Sequence, residues 1–173
     1  MSVRLSIRFP IDQIQKYASE YVYEDDSGVM EIGAVVRERG WLTFDELAAI
    51  AHWKSARITR HIQKNVPEDV TLITRAAFQL EADSARVLTL QALRGVGLPM
   101  ASVLLHLCHP DPFPVIDYRA LWSLRYEKEP PYSIPLWIEY VRVCRELAGQ
   151  TGLSMRVLDR GLWQYSKVHQ PAL

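Results

Sequence analysis

Val3, Leu5, Ile7 and Phe9 alternate with polar residues at the start of the chain, a period-two pattern that predicts a short extended arm. At Pro10 the period changes. Ile11, Ile14, Tyr17, Ala18 and Tyr21 recur at helical spacing and predict a helix with proline in its first turn. Glu24-Asp25-Asp26-Ser27-Gly28 reads as an acidic loop. Met30, Ala34 and Val35 then predict a second helix ending at Gly40. Thr43-Phe44-Asp45-Glu46 is a capping box, with Leu42 and Leu47 placed as a hydrophobic staple. Ser55 is the expected cap of a helix reaching Asn65. Pro67 opens another, with Val70, Ile73 and Ala77 on one face, and Asp83 or Ser84 caps the next.

That helix leads into Gly95-Val96-Gly97, which sits between Leu90 and Leu93 on one side and Ala101, Leu104 and Leu105 on the other. Downstream, Tyr118 to Leu124 reads as a short helix, and Glu127-Lys128-Glu129-Pro130-Pro131 as a loop. Ser133 opens a long helix bearing Leu136, Trp137, Tyr140, Val141, Cys144 and Leu147, stopped by Gly149 to Gly152. Ser154 caps a last helix with Val157, Leu158, Leu162 and Tyr165. No strand pair, internal repeat or low-complexity segment stands out. The expectation is an all-α chain of about nine or ten helices.

The glycine turn carries the chemistry. Two glycines this close permit positive φ and a tight reversal. Pro99 suits the first turn of the following helix, where no amide donor is needed. Such a helix start offers free N–H groups and a positive dipole end to a phosphate. The run from Leu90 to Ala101 fits the helix-hairpin-helix pattern hxxhxGhGxxxA, here spanning about residues 85–109. Eighteen residues after Pro99, the rigid run Pro112-Phe113-Pro114-Val115-Ile116 ends at Asp117.

Turn, proline-rich connector and carboxylate together resemble the helix-hairpin-helix-Gly/Pro-Asp superfamily of DNA glycosylases over residues 86–125. The resemblance implies one two-lobed helical domain over 1–173, with interleaved lobes and the substrate cleft between them. It implies backbone contacts to DNA from Arg94, Gly95, Val96, Gly97 and Pro99. It also implies that Asp117 stands at the mouth of a base-flipping pocket. The lyase-competent branch, typified by endonuclease III, carries a lysine two residues after the second glycine of the turn. Here that residue is Pro99. The Phe-Pro-Val-Ile-Asp run is most similar to that of the adenine glycosylases, which also lack the lysine.

Composition restrains this picture. The 173 residues are 49% hydrophobic and 23% charged, an ordinary globular balance. Lys+Arg and Asp+Glu both number 20, which argues against a large electrostatic footprint on DNA. A compact site gripping a few phosphates with backbone amides is compatible with that balance. Cys108 and Cys144 lie in apolar runs and read as buried small hydrophobes. Two cysteines cannot build the four-cysteine iron–sulfur loop of some relatives, and no CxxC or HxxxH spacing appears. No cofactor or metal is expected. No signal-peptide pattern or membrane-length apolar run is present, so a cytoplasmic location with no membrane partner is the expectation.

Asp117 has two compatible roles, helix N-cap and catalytic carboxylate. Cleaving an N-glycosidic bond needs negative charge near a sugar becoming oxocarbenium-like and a base for water. A lyase needs an amine to attack the sugar C1′, and Pro99 offers none; Lys54 or Lys167 would have to reach the site instead. Trp53, Lys54 and Arg57, then Arg60, His61, Lys64 and Asn65, form the densest basic segment. Arg57, His61 and Lys64 share i, i+4, i+7 spacing: a solvated helix face, or a DNA-facing one beside Trp53. Tyr118, Trp122, Trp163 and Tyr165, with Lys167, are core aromatics or the walls of a base pocket. His106 and His109 flank Cys108 without metal spacing.

The expected function is that of a monofunctional DNA glycosylase in base-excision repair. It would hydrolyse the bond to a damaged or modified base in double-stranded DNA, without strand cleavage. The alternative is a non-catalytic DNA-binding or interaction module with the same fold. A third reading is an enzyme acting on a nucleoside or another small N-glycoside.

Overall fold

Ten α-helices and one 3₁₀ turn make up the regular structure of the computed structural model, which describes residues 4–22, 25–128 and 131–171; no strand occurs among them. The all-α expectation therefore holds. Val3, Glu24, Glu129 and Pro130, used above for the arm and two loops, lie outside the described residues. None of the described helices is long and apolar enough to cross a membrane. The chain divides into two compact units, one formed by Met1–Glu24 with Pro112–Leu173, the other by Asp25–Asp111.

In the first unit the arm runs extended. The Ser6 and Arg8 amides donate to the carbonyls of Leu124 and Ser123 at 3.2 and 2.9 Å. Pro10 holds an extended ψ of 133°, so it precedes a 3₁₀ turn, Ile11–Gln13, instead of opening the helix; α1 is the short Ile14–Ser19 and leaves Tyr21 outside. Asp117 N-caps α8 (Tyr118–Ser123). Ser133 caps α9 (Ile134–Thr151) by accepting from the Leu136 amide, and the six apolar residues expected on its inner face are all buried. Gly149 lies inside this helix; Gly152 alone ends it, at φ 70°. Ser154 caps α10 (Met155–His169). Helices α1, α8 and α9 all pack on α10. At Gly161 a Cβ would meet the Ile14 carbonyl oxygen at 2.6 Å, so only glycine permits the α1–α10 approach. The Ser123 hydroxyl donates to the Leu162 carbonyl at 2.6 Å and ties α8 to α10.

The second unit holds α2 (Ser27–Arg39), α3 (Phe44–Lys54), α4 (Ala56–Ile62), α5 (Pro67–Gln79), α6 (Asp83–Leu90) and α7 (Leu98–Cys108). Helix α7 is apolar almost all round and is correspondingly buried, with α2, α3 and α6 packed on it. Its contact with α2 sets that helix's face. A Cβ at Gly33 would collide with the Leu107 carbonyl, so Val29, Gly33 and Val36 turn inward. Met30, Ala34 and Val35, whose spacing predicted the helix that ends at Gly40, lie off that face; Val35 is exposed.

The Thr43–Glu46 capping box forms in both directions, at 3.2 and 2.8 Å, with Leu42 and Leu47 fully buried beside it. Four other expectations need correction. Ser55 occupies the N-cap position of α4 but its side chain makes no capping bond. Helix α4 stops at Ile62, short of Asn65. On α5, Ile73 is half-buried and the buried residue is Thr74, which accepts from the Leu42 amide at 3.0 Å and donates to the Val70 carbonyl at 2.7 Å. Finally, Asp83 is the first helical residue of α6 and pairs with Arg86 at 2.7 Å, so neither it nor Ser84 caps; Ala82 holds that position.

Candidate nucleic-acid interface and carboxylate site

Between Leu90 and Leu98 the chain reverses through two short turns, in which the Leu93 amide donates to Leu90 and the Val96 amide to Leu93, both at 3.1 Å. Gly95 takes φ 82°, the left-handed region that glycine tolerates at little cost. Gly97 does not: at φ −83° and ψ 178° it is an extended N-cap residue for α7, which corrects the expectation of positive φ there. The two glycines do different work. A Cβ on Gly95 would press on the His61 Cβ at 3.0 Å and the Ile62 amide nitrogen at 3.2 Å, whereas one on Gly97 would meet only the Pro99 ring at 3.9 Å. Gly97 and Pro99 are exposed. The amides of Gly97, Leu98 and Met100 donate to no other described residue, leaving the start of an 11-residue helix with free donors.

Val96, expected to touch the DNA backbone, is buried, and its amide is already bonded to Leu93; it anchors the turn. The Arg94 amide is also engaged. It donates to the Asn65 side-chain oxygen at 2.8 Å, and the Arg94 carbonyl accepts from the Asn65 side-chain nitrogen at 2.9 Å. The same nitrogen reaches the Ile62 carbonyl at 2.9 Å. One asparagine thus joins the end of α4 to the glycine turn and leaves the Arg94 side chain exposed.

This clasp brings the basic segment to the turn. Arg57, Arg60, His61 and Lys64 are exposed. Because α4 ends at Ile62, Lys64 lies in the turn beyond it, and only Arg57 and His61 keep the expected helical spacing. No acidic residue stands between Glu46 and Glu68, nor between Asp83 and Asp111. Both elements of this surface are therefore cationic locally, although the whole chain is neutral. Trp53 and Lys54 close α3 and are half-buried.

Asp117 belongs to the other unit. Its half-buried carboxylate accepts from the Arg119 amide at 2.9 Å and caps α8. Among the described residues it has no ion-pair partner and no second hydrogen bond. The lead-in is rigid for reasons that lie elsewhere in the sequence. Phe113 is fully buried and stacks on Trp137 at 5.8 Å. The Val115 amide donates to the buried Asp159 carboxylate at 3.2 Å, and the Val115 carbonyl accepts from the Tyr140 hydroxyl at 2.9 Å. Arg145 donates to the Pro112 carbonyl at 3.0 Å. Burial above all, with the neighbouring Cys144 and the negative charge of Asp159 and Asp117 behind it, pushes the Tyr140 phenol well above its ordinary range, so it stays a proton donor. Tyr140, Asp159 and Arg145 carry no local signal of this role.

The aromatics divide. Trp122 and Tyr165 stack at 5.9 Å, and Tyr165 stacks on Phe9 at 4.0 Å, within a cluster completed by Tyr17 and His169. Arg8 lies over Trp122 at 4.3 Å. These rings hold arm, α1, α8 and α10 together. Tyr118 is exposed, and Arg119 lies 5.0 Å from its ring and 5.2 Å from that of Trp163. Lys167 is exposed on α10, while Lys54 lies in the second unit; neither side chain bonds to a described residue. Comparison with protein-family models, curated protein sequences and solved structures returned no match.

Proposed function

We propose that this chain is a DNA glycosylase-like enzyme that holds the DNA backbone at the glycine turn and hydrolyses the N-glycosidic bond of a damaged or modified base without cutting the strand. The observation that carries the reading is the state of Asp117. One oxygen is held by the Arg119 amide, no cation neutralises the group among the described residues, and the backbone before it is pinned by Tyr140 and Asp159. A carboxylate so placed can counter positive charge on a sugar and orient or deprotonate water. The free amides at the start of α7 and the cations of α4 suit phosphate oxygens. Pro99 provides no amine, which supports hydrolysis over imine chemistry. Asp117→Asn tests the reading on a panel of lesion-bearing duplexes. Asparagine caps a helix about as well as aspartate, so fold and DNA affinity should persist while base release is lost. Release at the wild-type rate would remove Asp117 from the chemistry.

A second reading, a DNA-binding module without chemistry, is favoured by one observation. Every residue assigned to the backbone grip lies in Asp25–Asp111, the unit that lacks Asp117. Duplex binding with no base released from any lesion would select it.

A further inference from the structure

We propose that a cavity of about 370 Å³ in the second unit, formed where Arg37, Arg39 and Arg75 gather around Trp41, is a binding site for a small aromatic phosphate monoester. Its size falls in the range of small-molecule sites. Arg39 lies 4.2 Å over the Trp41 ring and Arg75 5.4 Å from it. Arg39 is neutralised: it bonds the Trp41 carbonyl and pairs with Glu46. Arg37 spends one nitrogen on the Leu107 carbonyl. Neither Arg37 nor Arg75 has a carboxylate partner among the described residues, so two positive charges face the cavity uncompensated.

Two such charges match a phosphate monoester dianion, and guanidinium forks match its oxygens. Trp41, Phe78 and Pro110 supply apolar lining for a ring attached to that phosphate. The cavity is separate from the glycine turn. It is lined by Cys108, the last residue of α7, about 15 Å along the helix from its first turn. The inference does not rest on the glycosylase reading.

The test is calorimetric titration of the full chain with phenyl phosphate and with inorganic phosphate, alongside Arg75→Gln. Arg75 is exposed and touches the half-buried Trp41 ring only at 5.4 Å, so the variant should fold. Phenyl phosphate should bind saturably at one site, about tenfold more tightly than inorganic phosphate, and Arg75→Gln should weaken it about tenfold. Trp41→Phe should weaken it as well, while both variants keep wild-type affinity for duplex DNA. Absence of saturation at about 10 mM ligand would overturn the proposal, as would an unchanged Arg75→Gln titration. Equal affinity for inorganic phosphate would overturn the aromatic part. Loss of duplex affinity in Arg75→Gln would make the cavity part of the DNA surface and overturn it as a separate site.

Discussion

Replacing each glycine of the turn by alanine should separate folding from DNA binding. At Gly95, φ is 82°, and left-handed backbone costs a residue bearing a Cβ about 1–2 kcal/mol. The new methyl would also press on His61 and Ile62 at 3.0 to 3.2 Å, so Gly95→Ala should lose about 2–3 kcal/mol in all. For a chain of this size that is a fall of roughly 5–10 °C in Tm. Gly97 is different. Its φ of −83° suits any residue, and its Cβ would meet only the Pro99 ring, at an ordinary 3.9 Å. Alanine is a poorer N-cap than glycine by about 0.5–1 kcal/mol, and the stiffer unfolded chain returns about 0.4–1 kcal/mol, so Tm should barely move. A methyl there would nevertheless stand between a phosphate and the amides of Gly97, Leu98 and Met100. Loss of one charge-assisted hydrogen bond, about 1.5–3 kcal/mol, weakens binding at least tenfold. Thermal melts followed by circular dichroism, with fluorescence anisotropy on a labelled duplex at low salt, measure both quantities. A Gly97→Ala protein with wild-type affinity would take DNA off this turn. An unchanged Tm in Gly95→Ala would refute the positive-φ argument.

Borohydride added during turnover should trap no covalent protein–DNA adduct, and strands should break only after alkali or heat; a trapped adduct lost on mutating Lys54 or Lys167 would show that a displaced lysine acts. His109 should make the second unit acid-sensitive. Burial, then Arg86, lower its pKa, while Asp111, the Phe78 carbonyl and Asp83 oppose the shift. The unfolded chain therefore takes this proton first. The stabilisation is complete above about pH 6.5 and is lost as pH falls through the lower folded value. His109→Asn should flatten the fall in Tm between about pH 7.5 and 5.5, and an equally steep profile would exclude His109 as its source. Burial pushes the Cys108 thiol up to about 12 and the Cys144 thiol well above its usual range, so both should resist an aromatic disulfide reagent until urea unfolds the chain. Rapid labelling of the native protein would contradict this.

The sequence by itself determined where several helices begin and where two of them end. Thr43, Ser133 and Ser154 cap within three residues of themselves, and Gly40 and Gly152 close helices at positive φ. Such signals are complete within one turn of chain, so they survive any tertiary context. The apolar spacing of α9 and α7 was legible for the same reason, and so was the cap role of Asp117. Tertiary structure decided the rest. The face of α2 follows from the close approach of Gly33 to Leu107, and the α1–α10 contact depends on Gly161. Asn65 holds a turn 29 residues away, and Asp159 holds Val115 from 44 residues away. Only the turn's contact with α4 decided which glycine needs positive φ. These choices arise where two backbones or a buried polar pair meet, and the residues involved carry no mark of their partners in the local sequence.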